Sequence, residues 1–350
     1  MKKYSEGRSL CFDDVLLVPK ASAVASRHDV NLTMTIGQHH PLTLRLPVIA
    51  APMDTVCDTD MCIAMSDAGG MGILHRYMSK QDMLDKVRLL LDGEHTFGVS
   101  LGATKSYMED AERLYEAGAR MFLIDIANGH SVFALDAVKA LRRAYGDDIH
   151  VMAGNIATKE GFDRLSQAGA DSVRVGIGGG SACTTRIVSG HGVPTLASLM
   201  SILQWRTFGG TECSVIADGG IRNSGDMVKC FAAGADAVMI GSMLAGTDEA
   251  PGDILTDGTG NPVKLFRGMA SAQAQQDAIG KVSVAEGIST TIPYKGPVKD
   301  VLDAVRGGLG SGSSYSGVSA LADLEDAAEY VEVSAASLSE SRPHALIINS

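Results

Sequence analysis

The segment GIGGGSACTTR (176–186) sets one cysteine, Cys183, among hydroxyls and a cation inside a run of glycines. The nucleophilic form of cysteine is the thiolate, and a neighbouring cation such as Arg186 raises the thiolate fraction. The bland reading is a flexible connector. Against it, the segment follows an apolar run directly, and its glycines let backbone N–H and C=O groups face a ligand. Cys183 is therefore the candidate nucleophile. The other cysteines, at 11, 57, 62, 213 and 230, form no CxxC pair, so neither a zinc site nor a redox motif is expected. Cys62 and Cys230 sit in helical patterns and read as packing. Two later runs end in Ala217-Asp218-Gly219-Gly220 and Ile240-Gly241-Ser242. Glycine and serine there suit a phosphate. Asp218 suits the two hydroxyls of a ribose, with helix capping as the alternative. Asp125 ends another run and reads as a cofactor contact, or again as a cap.

These residues need a scaffold, and the sequence has a rhythm that supplies one. Eight short apolar runs recur: Pro47–Pro52, Gly70–His75, Thr96–Gly102, Met121–Ala127, His150–Ile156, Ser172–Gly178, Ser214–Gly220 and Ala237–Met243. Each is too short for a buried helix and rich in Val, Ile and Gly, as a strand buried on both faces should be. Amphipathic segments lie between them, for example Tyr107–Ala117 and the stretch carrying Phe162, Leu165 and Ala168. Three end in Ala-Gly-Ala, at 117–119, 168–170 and 233–235, where glycine suits a left-handed C-cap. Eight βα units predict an α/β fold, a (β/α)8 TIM barrel, with an open doubly wound sheet as the rival. One catalytic domain across 1–350 is expected, with a C-terminal extension, 245–350. The sixth-to-seventh gap of about 40 residues and the roughly 100 residues after the eighth run are where barrel chemistry belongs.

Composition narrows the partners. The 350 residues carry a net charge of −11 with no basic cluster, which argues against nucleic acid. Backbone N–H groups still bind a small-molecule phosphate without net positive charge. No run of about 18 apolar residues suggests a membrane span, and no secretory signal opens the chain, so a cytoplasmic enzyme with reduced thiols is expected.

Beyond these local features, GIGGGSACTTRIVSGHGVP (176–194) resembles the catalytic loop of the IMP dehydrogenase/GMP reductase family. So do FDDVLLVPK (12–20), AAPMDTV (50–56), GNIAT (154–158), ADGGI (217–221), GS (241–242) and FRGM (266–269). The resemblance implies that Cys183 attacks C2 of a purine nucleotide monophosphate to give a thioimidate, with Thr185 beside it moving protons. It implies that Ser181, Gly219, Gly220, Gly241 and Ser242 hold the substrate's phosphate end and Asp218 its ribose. Met53, Gly268 and Met269 would line the base, and Asp125, Asn155, Gly176 and Gly178 would face a nicotinamide cofactor. Backbone carbonyls of Gly178, Gly180 and Cys183 would form a monovalent-cation (K+) loop, and the chain would assemble as a homotetramer.

The family has two branches. The dehydrogenase oxidises IMP to XMP with NAD and hydrolyses the thioimidate, using an Arg-Tyr pair on a mobile flap. The reductase releases ammonia from GMP and delivers hydride from NADPH. Here no arginine or tyrosine occurs from Gly268 to Pro293, and the flap segment is short. Glu286 matches the reductase glutamate that works with the threonine. Asp125-Ile-Ala-Asn128-Gly129 and Phe266 also point to the reductase, and no tandem regulatory domain interrupts the chain after Gly70–His75. ArgIleValSerGlyHisGlyVal (186–193) and the tail segment 337–344 instead resemble the dehydrogenase. Gly179, Gly310, Ser283 and Ala285 depart from family patterns. The expectation is a GMP reductase using NADPH. IMP dehydrogenase with NAD is the alternative, and a nucleotide-binding protein without turnover is a reading of another class. The Gly-Ser-rich stretch Gly307–Gly317 and the tail are expected to need a partner surface.

Overall fold

The computed structural model describes residues 8–103 and 106–342. The eight apolar runs form eight parallel strands: β1 Val48–Ala50, β2 Met71–Leu74, β3 Phe97–Leu101, β4 Met121–Asp125, β5 His150–Ile156, β6 Ser172–Val175, β7 Ser214–Asp218 and β8 Ala237–Ile240. They pair in the closed order β7-β8-β1-β2-β3-β4-β5-β6, so the barrel predicted from the rhythm is observed. Every strand but β5 stops one to three residues short of its predicted end. The glycines that follow β6 and β7 take positive φ, +151° at Gly176 and +88° and +80° at Gly219 and Gly220, and leave the sheet. The stretch after β8, Gly241 to Met243, is likewise turn rather than strand.

Period-two alternation explains why the runs are apolar throughout. Ile49, Met71, Ile73, Met121, Leu123, Met152, Ile216 and Met239 fill the barrel interior. Their neighbours Val48, Ala50, Leu74, Val99, Phe122, Val151, Val173, Val215 and Val238 face the helices. Methionine's unbranched stem fills the irregular gaps of such an interior. A hairpin, Met34–Ile36 with Leu42–Leu44, covers one end and adds Ile36 and Leu44 to the same cluster.

The helices between strands are α1 Thr59–Asp67, α2 Lys80–Asp92, α3 Tyr107–Glu116, α4 Val132–Tyr145, α5 Lys159–Gln167, short α6 Thr185–Val188, α7 Thr195–Gly209 and α8 Ser224–Ala232. The Ala-Gly-Ala stops behave as read: Gly118, Gly169 and Gly234 have φ near +100°. After α3, Ala119 N–H reaches Leu114 O at 2.9 Å and Gly118 N–H reaches Tyr115 O at 2.9 Å, a Schellman closure.

Beyond β8 the chain builds a three-stranded antiparallel sheet from Leu255–Thr256, Pro262–Arg267 and Ser289–Pro293. The pairing Arg267↔Ser289 places Gly268-Met269 beside Glu286-Gly287, with α9 Ala272–Ile279 in the connection. Helix α10, Val298–Tyr315, takes up most of the Gly-Ser-rich stretch Gly307–Gly317, and some of its glycines serve contacts within the chain. A Cβ on Gly312 would stand 2.5 Å from Val228 of α8, and one on Gly310 would stand 2.3 Å from the Arg27 carbonyl. Small residues let α10 approach that closely. The tail segment is described only to Arg342, so Pro343 and His344 lie outside the described residues. Among the described residues, no helix is long and apolar enough to cross a membrane.

Candidate active site

The C-terminal ends of the strands surround a cavity of about 330 Å³, within the size range of small-molecule sites. Every residue given a catalytic, substrate, cofactor or cation-loop role from the sequence lines it. Met53 follows β1, Asp125 ends β4, Asn155 lies in β5, and Gly176, Gly178, Gly180, Ser181, Cys183 and Thr185 follow β6. Asp218, Gly219 and Gly220 come from β7, Gly241 and Ser242 from β8, and Gly268, Met269 and Glu286 from the added sheet.

The loop carrying Cys183 is held against the flap segment by backbone bonds. Thr184 N–H donates to Glu286 O at 2.9 Å, Ile288 N–H to Ala182 O at 3.0 Å, and Glu286 N–H to Ala270 O at 3.0 Å. This clamp brings the Glu286 side chain into line with Cys183 and with Thr185, 101 residues before it. The Cys183 thiol donates to Thr185 Oγ1 at 3.2 Å, and the Thr185 hydroxyl donates to Glu286 Oε2 at 2.8 Å. A thiol, a hydroxyl and a carboxylate in series can carry a proton away from sulfur and return it elsewhere. Arg186 does not stand as the thiol's partner, as the sequence suggested. Its guanidinium donates to Val193 O at 3.0 Å, and its stem packs against Gly178 and Gly192, so it braces the loop.

On the same loop Ser181 donates to Ser242 across 3.0 Å, pairing two hydroxyls that line the cavity with Gly219 and Gly220. Thr195 fixes the Gly219-Gly220 turn by donating to Gly219 O at 2.9 Å. Successive glycine N–H groups in left-handed conformation form an anion-binding concavity. Gly176 has a different task. A Cβ there would fall 1.7 Å from the Asp218 carbonyl oxygen, so glycine is needed for the chain leaving β6 to pass this close to the end of β7.

Neither aspartate is a helix cap. The following helices α4 and α8 are capped by Ser131 and Asn223. Asp218 accepts from Asn155 Nδ2 at 2.7 Å and lies 3.8 Å from Arg174, while Asp125 pairs with Arg174 at 2.5 Å and with Arg76 at 3.7 Å. Burial pushes the Asp218 carboxyl above its ordinary range, with Arg174 and Asn155 pulling the other way. Asn155 also donates to Gly176 O at 2.8 Å, which commits both amide hydrogens and leaves Oδ1 as an acceptor.

Two members of the site were not found from the sequence. Arg174, in β6, is 4 % exposed, binds both aspartates and keeps its Nε without a partner among the described residues. A lone arginine in an apolar run was the available signal. Lys295 donates to Ser242 O at 2.6 Å and Met243 O at 3.1 Å, holding the β8 turn from behind. It lies beyond the flap, and nothing local marked it. Of the carbonyls expected around a monovalent cation, that of Gly180 accepts the Cys183 N–H at 3.0 Å. Among the described residues no three His, Cys, Asp or Glu side chains are grouped to hold a metal.

The sequence profile of the IMP dehydrogenase / GMP reductase domain matches residues 9–344. The inosine-5'-monophosphate dehydrogenase of Nitrosopumilus maritimus is 31% identical over an alignment spanning 99% of this chain and 100% of that protein. The GMP reductase of Leishmania major is also 31% identical, over 96% of each chain. Among solved structures, a cysteine-to-alanine variant of the Trypanosoma brucei GMP reductase in complex with guanosine 5'-monophosphate superposes with a TM-score of 0.90. The two are 29% identical, over 98% of this chain and 99% of that one. With a matching profile, near-complete coverage and a shared barrel, the chain belongs to the IMP dehydrogenase/GMP reductase family of oxidoreductases acting on purine nucleotides.

Proposed function

We propose that this protein is a GMP reductase, converting GMP to IMP and ammonia at the expense of NADPH. One observation carries the reading: the proton relay from Cys183 through Thr185 ends on Glu286, in a flap segment that holds no arginine or tyrosine from Gly268 to Pro293. A hydrolytic half-reaction needs a base for water, and none of the usual pair is present. Loss of a general base costs ~10²–10⁴-fold.

The GMP phosphate sits between Ser181, Ser242 and the Gly219-Gly220 turn, and the ribose hydroxyls bind the free oxygen of Asp218. Met53, Gly268 and Met269 line the base, bringing C2 to the sulfur. Cys183 gives its proton toward Thr185 and Glu286 as sulfur adds to C2. The same relay returns a proton to the exocyclic nitrogen, so one C–S bond forms, one C–N bond breaks and ammonia leaves. The result is a thioimidate on Cys183. Family members use nicotinamide dinucleotides, and the face formed by Asp125, Asn155 Oδ1, Gly176 and Gly178 offers acceptors and open backbone for a carboxamide. When bound, NADPH supplies the hydride that ends on C2 as sulfur departs. The balance is GMP, NADPH and two protons giving IMP, NADP+ and ammonium. We further infer a single catalytic domain working as a homotetramer.

Acid-quenched protein incubated with GMP should carry a purine adduct on the Cys183 peptide by mass spectrometry, with one ammonia released per adduct. Absence of both, together with XMP formation from IMP and NAD, would replace this reading with the dehydrogenase one.

A further inference from the structure

The stretch of chain that delivers Glu286 has no regular structure of its own. Lys281 to Glu286 belong to neither helix nor strand, and Lys281 to Val284 are exposed. Glu286 must nevertheless stand 2.8 Å from the Thr185 hydroxyl for the relay to close. Backbone bonds hold Glu286 itself, to Ala270 O and from Thr184 N–H. They do not hold the residues just before it.

A buried amide does. Gln275, on α9, is 6 % exposed. Its Nε2 donates to Ala270 O at 2.9 Å and to Val284 O at 3.2 Å, and its Oε1 accepts the Ser283 N–H at 2.9 Å. Both amide hydrogens and an oxygen lone pair are thereby committed to backbone on the two sides of the flap. Ala270 O is shared, since it accepts the Glu286 N–H as well. Helix α9 is itself tied to the barrel: Asp277 pairs with Arg267 at 2.6 Å, and Arg267 pairs at 2.6 Å with Asp54, which follows Met53. The irregular segment is therefore referred, through one side chain, to a fixed helix. Gln275 is not among the residues lining the cavity, so it reaches the chemistry only through Glu286. We propose that Gln275 is a positioning residue for Glu286, its amide holding Ser283 and Val284 so that the carboxylate meets Thr185. The proposal rests on the relay reading given above.

Gln275→Met tests it, because methionine matches glutamine in length, suits a helix and makes none of the three bonds. Gln275→Glu is the second variant, keeping the acceptor for Ser283 while losing both donors. Gln276→Met, exposed on the same helix, is the control. Misplacing a catalytic group by about 1 Å costs up to ~10²-fold, so kcat for GMP should fall about tenfold or more in both Gln275 variants. The GMP dissociation constant should change by less than about twofold. In a Glu286→Gln background, Gln275→Met should add less than about twofold, because the two residues act as one unit. A merely structural role would lower activity in that background too. Hydrogen exchange in the peptide covering Ser283 to Glu286 should quicken about tenfold in Gln275→Met and stay unchanged in the control. A kcat within twofold of the parent in both variants, unchanged exchange, or a full further loss in the Glu286→Gln background overturns the proposal. Failure of the reductase reading shows separately, as absence of GMP turnover by the unmodified protein.

Discussion

Glu286→Gln is the substitution that isolates the relay. Glutamine keeps an oxygen within reach of the Thr185 hydroxyl, now 2.8 Å from the carboxylate, but cannot take up and return a proton. The backbone clamp survives, because Glu286 N–H and C=O bond Ala270 and Thr184 irrespective of the side chain. Stability should therefore change by less than about 0.5 kcal/mol. GMP affinity should hold as well, since phosphate and ribose are gripped by other residues. The whole effect falls on proton transfer, so kcat for GMP should drop ~10²–10³-fold, within the range of general acid–base catalysis. That corresponds to about 3–4 kcal/mol of barrier. Rapid-quench measurement of ammonia release and of the Cys183 adduct locates the slowed step before hydride transfer. Because the three groups act as one unit, Thr185→Val combined with Glu286→Gln should cost about as much as the worse single change. A Glu286→Gln enzyme within twofold of the parent kcat would refute the relay.

Other consequences follow from the same geometry. Gly176→Ala should abolish nucleotide binding in equilibrium titration, because the new Cβ would displace the Asp218 backbone. GMP affinity should weaken on acidification sooner than an ordinary aspartate would allow. Burial raises the Asp218 carboxyl, so its proton is regained at higher pH and the ribose loses its acceptor, whereas an Asp218→Asn variant should bind weakly with no such acid limb. His150, buried between His40 O and Ser172, is held down from 6.5 to about 4. The folded state stays neutral while the unfolded chain protonates, so stability, full above about pH 6.5, should fall by roughly 3 kcal/mol as pH drops to about 4. Urea titrations across that range test the loss, and a neutral replacement at 150 should flatten it. Gly310→Ala should lower stability by about 1–3 kcal/mol despite better helix propensity, since its methyl meets the Arg27 carbonyl.

What could be read from sequence divides along the range of the interactions. The barrel strands were legible because burial on both faces writes a continuous apolar run into each. The Ala-Gly-Ala stops were legible because the left-handed C-cap is set by three adjacent residues. The catalytic loop was legible as chemistry, and its resemblance to a family supplied roles that spacing alone could not. Arg174 and Lys295 were missed because their partners, Asp125, Asp218 and Ser242, are distant in sequence. Arg186 misled for the same reason: proximity in sequence to Cys183 suggested a contact, while the loop turns it toward Val193. The glycines of α10 read as needing a partner surface, because composition does not reveal a neighbouring helix, and the packing of Gly312 against Val228 shows one supplied within the chain.

The direction of the reaction is the centre of this account, and absorbance at 340 nm tests it in one cuvette for each direction. With GMP and NADPH the absorbance should fall, and IMP and ammonium should appear in equal amounts. With IMP and NAD it should stay flat. A rise with IMP and NAD, accompanied by XMP, would mean that another residue activates water in place of the absent Arg-Tyr pair, and would contradict the assignment.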